Sequence, residues 1–261
     1  MNIKRGTIYL LVLIVTIMTC GWSDMDDHFQ IPAEDSLKFR ELYRIENQKV
    51  KPVISYEDES KRKQVALTFD DGPHPKNTQL ILDILKKHQA NATFFVLGNR
   101  VNLYPDTLKK IYEEGHEIGN HSWTHTNFTS IGLDGIRQEV THTNTAIQEI
   151  LGYKPQLVRP PYGAVDETVQ GAAKLPLILW SVDSLDWKLR SSSAIVQEVL
   201  SNVSNGSIVL MHDIHSATPE AVDAIISNMK KKGYHFVTVS QLLKLEDGQI
   251  GAVSGQLIYS K

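Results

Sequence analysis

Two stretches of this chain place reactive side chains at spacings that chemistry can use. In HSWTH, His121 and His125 stand four residues apart. On one helical turn or in a tight loop, that spacing aims both imidazoles at a single point. In LTFDDGPHP, residues 67–75, Asp70 and Asp71 stand side by side directly after the apolar run Val65, Ala66, Leu67. Two carboxylates at the end of a buried strand repel each other and resist desolvation. Two imidazoles and one carboxylate form a common catalytic zinc set that leaves a position open for water. The metalloprotease pattern HExxH carries its base as the second residue. Here that position is Ser122, so a hydrolytic site built on HSWTH must import its base. The aspartate pair meets both needs. One member ligates a cation and is held ionised by it, and the other takes a proton from an attacking water. An isolated HxxxH is often only a polar loop, and it is the paired aspartates at a matching strand end that make it a candidate metal site.

Such a site needs elements that carry residues far apart in sequence to one place. From Lys63 the chain becomes regular. β-rich or apolar runs predict strands at VALTF (65–69), ATFFVLG (92–98), EIGNH (117–121), LVRPPYG (157–163), LILWSV (177–182), GSIVLMHD (206–213) and HFVTV (235–239). Helical periodicity predicts helices over 79–88, over 107–116 with a stop at Gly115, and over 133–152 closed by Gly152. Ser191 to Ser193 can cap a helix through Val203. Thr218-Pro219 starts another that runs to Lys232 and stops at Gly233. Continuous apolar strands alternating with helices predict parallel strands covered by helices, as a barrel or an open doubly wound sheet. In either fold the C-terminal ends of the strands share one face. Asp70 and Asp71 follow strand one, His121 and His125 strand three, Arg159 and Tyr162 strand four. Asp183 and Asp186 follow strand five, and His212 and Asp213 strand six. Every unusual residue falls at such an end.

Composition narrows the chemistry. The chain has 261 residues with 27 basic and 30 acidic side chains, a formal charge of −3. No basic excess points to nucleic acid. Cys20 is the one cysteine, so there is no internal disulfide and no thiolate cluster, and a metal must use His, Asp or Glu. Lys4 and Arg5 precede the 11-residue run IYLLVLIVTIM, then TCGWSD. That pattern reads as an export signal over residues 1–22, and the run is shorter than a usual membrane span. A cleaved signal, a retained membrane anchor and a lipoprotein lipidated at Cys20 all fit, although Met18 and Thr19 depart from the small residues a lipoprotein signal uses. Residues 23–62 read as a polar tether, 63–243 as one domain, and 244–261 as an extension, either an added edge strand or a loose end.

TFDDGP, HSWTH, RPPYG, DSLDW and LMHD occur in the order and at the intervals of a known family. The chain resembles a polysaccharide deacetylase carrying the NodB homology domain, carbohydrate esterase family 4, over about residues 63–243. The resemblance implies a distorted (β/α) barrel of about seven parallel strands. It implies one divalent metal, zinc most often and cobalt or nickel as alternatives, and hydrolysis of the acetamide of an N-acetylated sugar. It assigns Asp71, His121 and His125 as metal ligands and Asp70 as catalytic base. Arg159 pairs with that base, and a cation there is expected to lower the Asp70 pKa. The Tyr162 backbone N–H, the first after Pro160 and Pro161, helps stabilise the oxyanion. His212 is the catalytic acid, held protonated by Asp186, because an amine leaves poorly unless protonated. Trp187 forms the wall of the acetyl pocket and Leu210 its floor, with core packing the alternative for both. Asp183 is read as a cap for the next helix and Asp213 carries no assigned role. His215, His74, His116 and His142 are read as surface residues. The expected substrate is a cell-wall glycan, peptidoglycan N-acetylglucosamine first, with chitin oligomers, N-acetylmuramic acid and acetylated xylan as alternatives. The expected form is an exported monomer with no nucleic-acid partner. The competing readings are an amidohydrolase of ring ureides on the same fold, a silent carbohydrate-binding module and a structural wall protein.

Overall fold

The computed structural model describes residues 62–245 and the backbone of Leu257–Ile258. The expected export segment at 1–22, the tether up to residue 61 and most of the tail lie outside the described residues. Everything described belongs to the unit Asp58–Lys261.

The chain runs β1 (Lys63–Asp70), α1 (Asn77–Lys87), β2 (Thr93–Val96), α2 (Gly98–Leu103), α3 (Pro105–Glu113), β3 (Glu117–Asn120) and α4 (Gly132–Leu151). It continues with α5 (Glu167–Ala173), β4 (Leu177–Ile178), β5 (Val182–Asp183), α6 (Asp186–Leu189), α7 (Ser192–Asn202), β6 (Ile208–His212), α8 (Thr218–Lys231), β7 (Tyr234–Phe236), α9 (Val239–Leu243) and β8 (Leu257–Ile258). All strand pairings are parallel, in the order β3-β2-β1-β6-β5. β7 lies against the first residues of β1. Beyond β3 the bridges Asn120↔Val158 and Val158↔Leu177 carry the circuit to β4. No ladder joins β4 to β5 among the described residues, so the barrel has a seam there.

Alternation along β1 separates its two jobs. Val65, Leu67 and Phe69 pack in the main apolar core with Leu82 and Leu85 of α1 and Val222, Ile225 and Ile226 of α8. Ala66, Thr68 and Asp70 point to the other face, into the barrel. The pairs Thr68↔Leu210 and Asp70↔His212 set β1 and β6 in register, so the base candidate and the acid candidate stand on adjacent strands. α4 ends as expected at Gly152, whose φ of 67° is the left-handed turn glycine adopts at no steric cost.

Several expected elements differ. LILWSV is two short strands rather than one. Val158 holds Ile178, whereas Val182 turns to Val209 of β6, so the stretch changes partners between them. The Arg159 side chain donates to the carbonyls of Ile178 and Leu179 and takes the place of a ladder at that point. LVRPPYG contributes a single bridging residue, because Pro160 and Pro161 cannot donate to a ladder. HFVTV ends as a strand at Phe236, and Thr238 instead caps α9 through a reciprocal Thr238–Gln241 box. Ser191 occupies the N-cap of α7, but its hydroxyl bonds the Ser193 hydroxyl and not a backbone N–H of the helix. The tail does contribute an added strand, with Leu257 and Ile258 opposite Leu177 and Ile178. Among the described residues no helix is long and apolar enough to cross a membrane.

Candidate active site

β1 delivers Asp70 as its last residue, and Asp71 turns away with a φ of 73°. This left-handed backbone is uncommon outside glycine, and aspartate is among the side chains that tolerate it. Gly72 follows because nothing larger fits. A Cβ there would stand 2.2 Å from Asp213 Oδ2. Asp213 is fully buried and takes the Thr78 hydroxyl on Oδ2, while its Oδ1 has no hydrogen-bond partner among the described residues. Burial raises its pKa to about 7, and the charges of Asp71 and Asp70 push the same way.

β3 delivers the histidines. Asn120 is buried at its end. It donates to Val140 O and Asn144 Oδ1 on α4 and accepts from Ser122 N–H at 2.7 Å. Glu139 of α4 accepts the backbone N–H groups of Trp123 and Thr124, both at 2.8 Å, and the Thr124 hydroxyl at 2.9 Å. Ser122 and His125 have φ values of 76° and 64°, and His125 N–H donates to Ser122 Oγ at 2.9 Å. The loop is therefore a strained turn held from outside by α4, not a helical turn.

These constraints bring the expected set together. A backbone carbonyl can only accept, so His121 Nδ1–H donates to Arg159 O at 2.7 Å. That fixes the tautomer and leaves the Nε2 lone pair facing the aspartates. Burial holds His121 neutral, with its pKa down at about 3. Its Nε2 is 3.6 Å from Asp71 Oδ1 and also 3.6 Å from Asp70 Oδ2. His125 Nε2 is 3.3 Å from Asp71 Oδ1. Asp71 Oδ1 is thus the oxygen that meets both rings, and it is buried without a hydrogen-bond donor among the described residues. Such an atom is costly unless a cation satisfies it. Two ligands about 2.1 Å from one ion in tetrahedral geometry stand about 3.4 Å apart, close to the separations found. The donor set of one carboxylate and two imidazoles fits a divalent cation.

Asp70 is held differently. Arg159 is fully buried and donates NH1 to Asp70 Oδ1 and to Thr68 Oγ1, each at 2.7 Å. Its Cζ also lies 4.1 Å from the Phe95 ring centre. The lowering expected from Arg159 is present but does not prevail, because burial raises the Asp70 pKa by more than Arg159 and His212 lower it. Tyr162 has a φ of 61° after its two prolines, and its exposed ring packs edge-on to His125 at 4.5 Å.

Across β1, His212 Nδ1 and Asp186 Oδ1 are 2.7 Å apart, and Thr218 Oγ1 donates to Asp186 Oδ2 at 2.8 Å. Burial alone would lower the His212 pKa. The Asp186 hydrogen bond and the charges of Asp186, Asp70 and Asp71 outweigh it and carry His212 up to about 9. Leu210 is buried on the barrel face two residues below His212, beside Thr68. Trp187 is half exposed, with its indole N–H 3.4 Å from Asp183 Oδ2. Asp183 accepts Leu185 N–H and so shapes the turn into α6, but Leu185 holds the N-cap position and Asp183 does not cap the helix as expected.

Some residues were misjudged from sequence. His116 is buried against Phe94, not on the surface. His74 and His215 are partly buried. His74 Nδ1 accepts from Lys76 and Asn77 N–H at the start of α1, whereas His142 is exposed as expected. Sequence alone gives Glu139, Thr68 and Asn120 no role at the site, and Thr218 only that of a helix start. Asn120 has a signal in its place directly before His121, whereas Glu139 and Thr68 look like ordinary surface and strand residues.

The chain is similar to known proteins in sequence and in fold. A family model described as polysaccharide deacetylase matches residues 57–178. The peptidoglycan-N-acetylmuramic acid deacetylase PdaC of Bacillus subtilis is 43% identical over 210 residues, 78% of this chain and 45% of that protein. The peptidoglycan-N-acetylglucosamine deacetylase PgdA of Listeria monocytogenes is 43% identical over 189 residues, 72% of this chain and 41% of that protein. This chain spans less than half the length of these two curated relatives. The solved structure of a family 4 acetyl xylan esterase from Clostridium thermocellum, in complex with a cobalt ion, superposes with a TM-score of 0.71 at 35% identity, over 76% of this chain and 98% of that one. With that identity across nearly the whole of a solved relative, and the same fold beneath it, the chain belongs to the polysaccharide deacetylase family.

Proposed function

We propose that this chain hydrolyses the N-acetyl group of N-acetylated wall glycans, peptidoglycan N-acetylglucosamine first, releasing acetate and leaving a free amine. One observation carries the reading. Buried Asp71 Oδ1, without a hydrogen-bond donor among the described residues, faces two histidine nitrogens, directly beside a second aspartate committed to a buried arginine. Asp71, His121 and His125 would hold a divalent cation, zinc in the first place, with cobalt or nickel as alternatives. When bound, that cation supplies a Lewis acid that polarises an acyl oxygen and acidifies water. Asp70 accepts the proton of the attacking water, with Arg159 fixing the carboxylate's orientation. The Tyr162 N–H donates to the oxygen that gains negative charge. His212 gives its Nε2 proton to the departing nitrogen while Asp186 keeps the Nδ1–H side engaged. Leu210 and Trp187 border the acetyl methyl.

The names of the two bacterial relatives specify peptidoglycan, which favours a wall glycan over chitin or xylan and an envelope or extracellular location. The reading includes export through residues 1–22, a tether over 23–62, a catalytic domain over 63–243 and action as a monomer. The test is acetate release from N-acetylglucosamine polymers and from intact peptidoglycan, with and without chelator. Release that chelator abolishes and added zinc restores is the expected result. Absence of release from every glycan after metal loading would reject the proposal.

A further inference from the structure

A second group of ligand-type side chains adjoins the first. Asp186, His212 and His215 each offer an atom within 4.8 Å of the others. Its hydrogen bonds make it unsuitable for a cation. Asp186 already accepts His212 Nδ1–H, His212 N–H and the Thr218 hydroxyl. Arg190 NH1 lies 2.8 Å from His215 Nδ1. A guanidinium has no lone pair, so His215 Nδ1 accepts and its proton sits on Nε2. Burial, and Arg190 with it, keeps His215 below its ordinary pKa, so the ring is a neutral donor.

Arg190 is fixed from the other side as well. Its Nε donates to Trp187 O at 2.8 Å. The short α6 between them is bounded by Leu185 at φ 54° and Arg190 at φ 53°, two left-handed residues that set the direction of the chain. One guanidinium thus ties the aromatic rim of the site to a histidine whose ring centre is 5.5 Å from that of His212. This part of the rim presents N–H donors and a positive charge. That chemistry takes an oxygen with full or partial negative charge.

We propose that Arg190 and His215 form a subsite for a carboxylate or carbonyl oxygen borne by the sugar chain next to the acetamide under attack, namely the lactyl group of a muramoyl residue. The inference rests on the deacetylase reading above and deepens it. A peptidoglycan strand offers such a group on every second sugar, and a plain N-acetylglucosamine polymer offers none. The subsite favours peptidoglycan over chitin without touching the reacting atoms.

The experiment is titration calorimetry of the zinc-loaded full chain with two ligands, chitobiose and the disaccharide N-acetylglucosaminyl-N-acetylmuramic acid. Acetate release from both is followed in parallel. The wild type should prefer the muramoyl disaccharide, and Arg190→Ala and His215→Ala should each reduce that preference about fivefold. His215→Gln, which still accepts from Arg190 and still donates, should restore it. Because Arg190 also holds Trp187, His215→Ala is the decisive variant. A wild type without preference, or a preference that survives in His215→Ala, overturns the subsite. A wild type that binds selectively yet releases no acetate from either sugar counts against the deacetylase reading and in favour of the subsite.

Discussion

Asp186 holds His212 with both carboxylate oxygens, one on the imidazole Nδ1 side at 2.7 Å and one on the backbone N–H at 2.8 Å. The imidazole is fixed in orientation and carries its proton up to about 9. Asp186→Asn keeps the shape and removes the charge. In the wild type the alkaline limb of acetate release should report loss of the His212 proton near that value. In the variant the limb should move toward acid by a unit or more, with a rate loss of ~10- to 100-fold at pH 8. A pH–rate profile with an unmoved alkaline limb would remove Asp186 from this role. The same pair contributes to stability. Because the folded pKa lies above the ordinary 6.5, the His212 contribution is complete below about 6.5 and is lost as pH rises through about 9.

Asp70→Asn should retain metal and lose turnover by ~10²- to 10⁴-fold, since an amide accepts no proton from water. The fold should change little, because Asn Oδ1 still accepts from Arg159, and Arg159 keeps Thr68, Ile178 and Leu179. Arg159→Lys is expected to do the opposite damage. An ammonium cannot span four acceptors in a plane, so stability should fall by about 3 kcal/mol or more. Chemical denaturation alongside metal analysis separates the two outcomes. Near-normal turnover in Asp70→Asn would exclude Asp70 as base.

Glu139 makes no contact with the ligand atoms but accepts three hydrogen bonds from the loop that carries them. Glu139→Ala should weaken zinc binding by about 10-fold or more, as loss of an outer support typically does. Glu139→Gln should be intermediate, since one accepting oxygen remains. Competition with a chromogenic chelator measures both. Equal affinity in all three proteins would mean that the loop holds its shape unaided.

His116 is buried with neither ring nitrogen hydrogen-bonded to a described residue, and burial lowers its pKa to about 4. The unfolded chain binds this proton near 6.5 and the folded chain only near 4. Stability should therefore fall as pH drops through that window, by up to about 3 kcal/mol from this group. His116→Phe, still packed against Phe94, should flatten the decline in melting temperature between pH 6.5 and 4. A decline as steep as in the wild type would assign acid sensitivity to other groups.

The sequence made the strand ends legible because two signals coincide there. An apolar run of strand length stops at a polar residue that a buried strand would not otherwise contain, as at Phe69-Asp70 and Met211-His212. What stayed hidden depends on partners distant in the chain. LILWSV reads as one strand, and only Arg159, 19 and 20 residues away, shows why it divides at Ile178 and Leu179. Glu139 sits on an amphipathic helix where a carboxylate ordinarily meets water. His116 lies among glutamates after Gly115 and has no local mark of burial. The left-handed backbones of Ser122 and Tyr162 run against residue preference and need tertiary contacts to hold them, and those of Asp71 and His125, though better tolerated, carry no local sequence mark.

The Arg159 side chain serves two neighbours with unrelated needs. It restrains the carboxylate that would draw protons from water, and it closes off the carbonyls where β4 and β5 part. Reactivity and architecture are welded at one guanidinium. A change that retunes the base through Arg159 must also reseal the wall behind it.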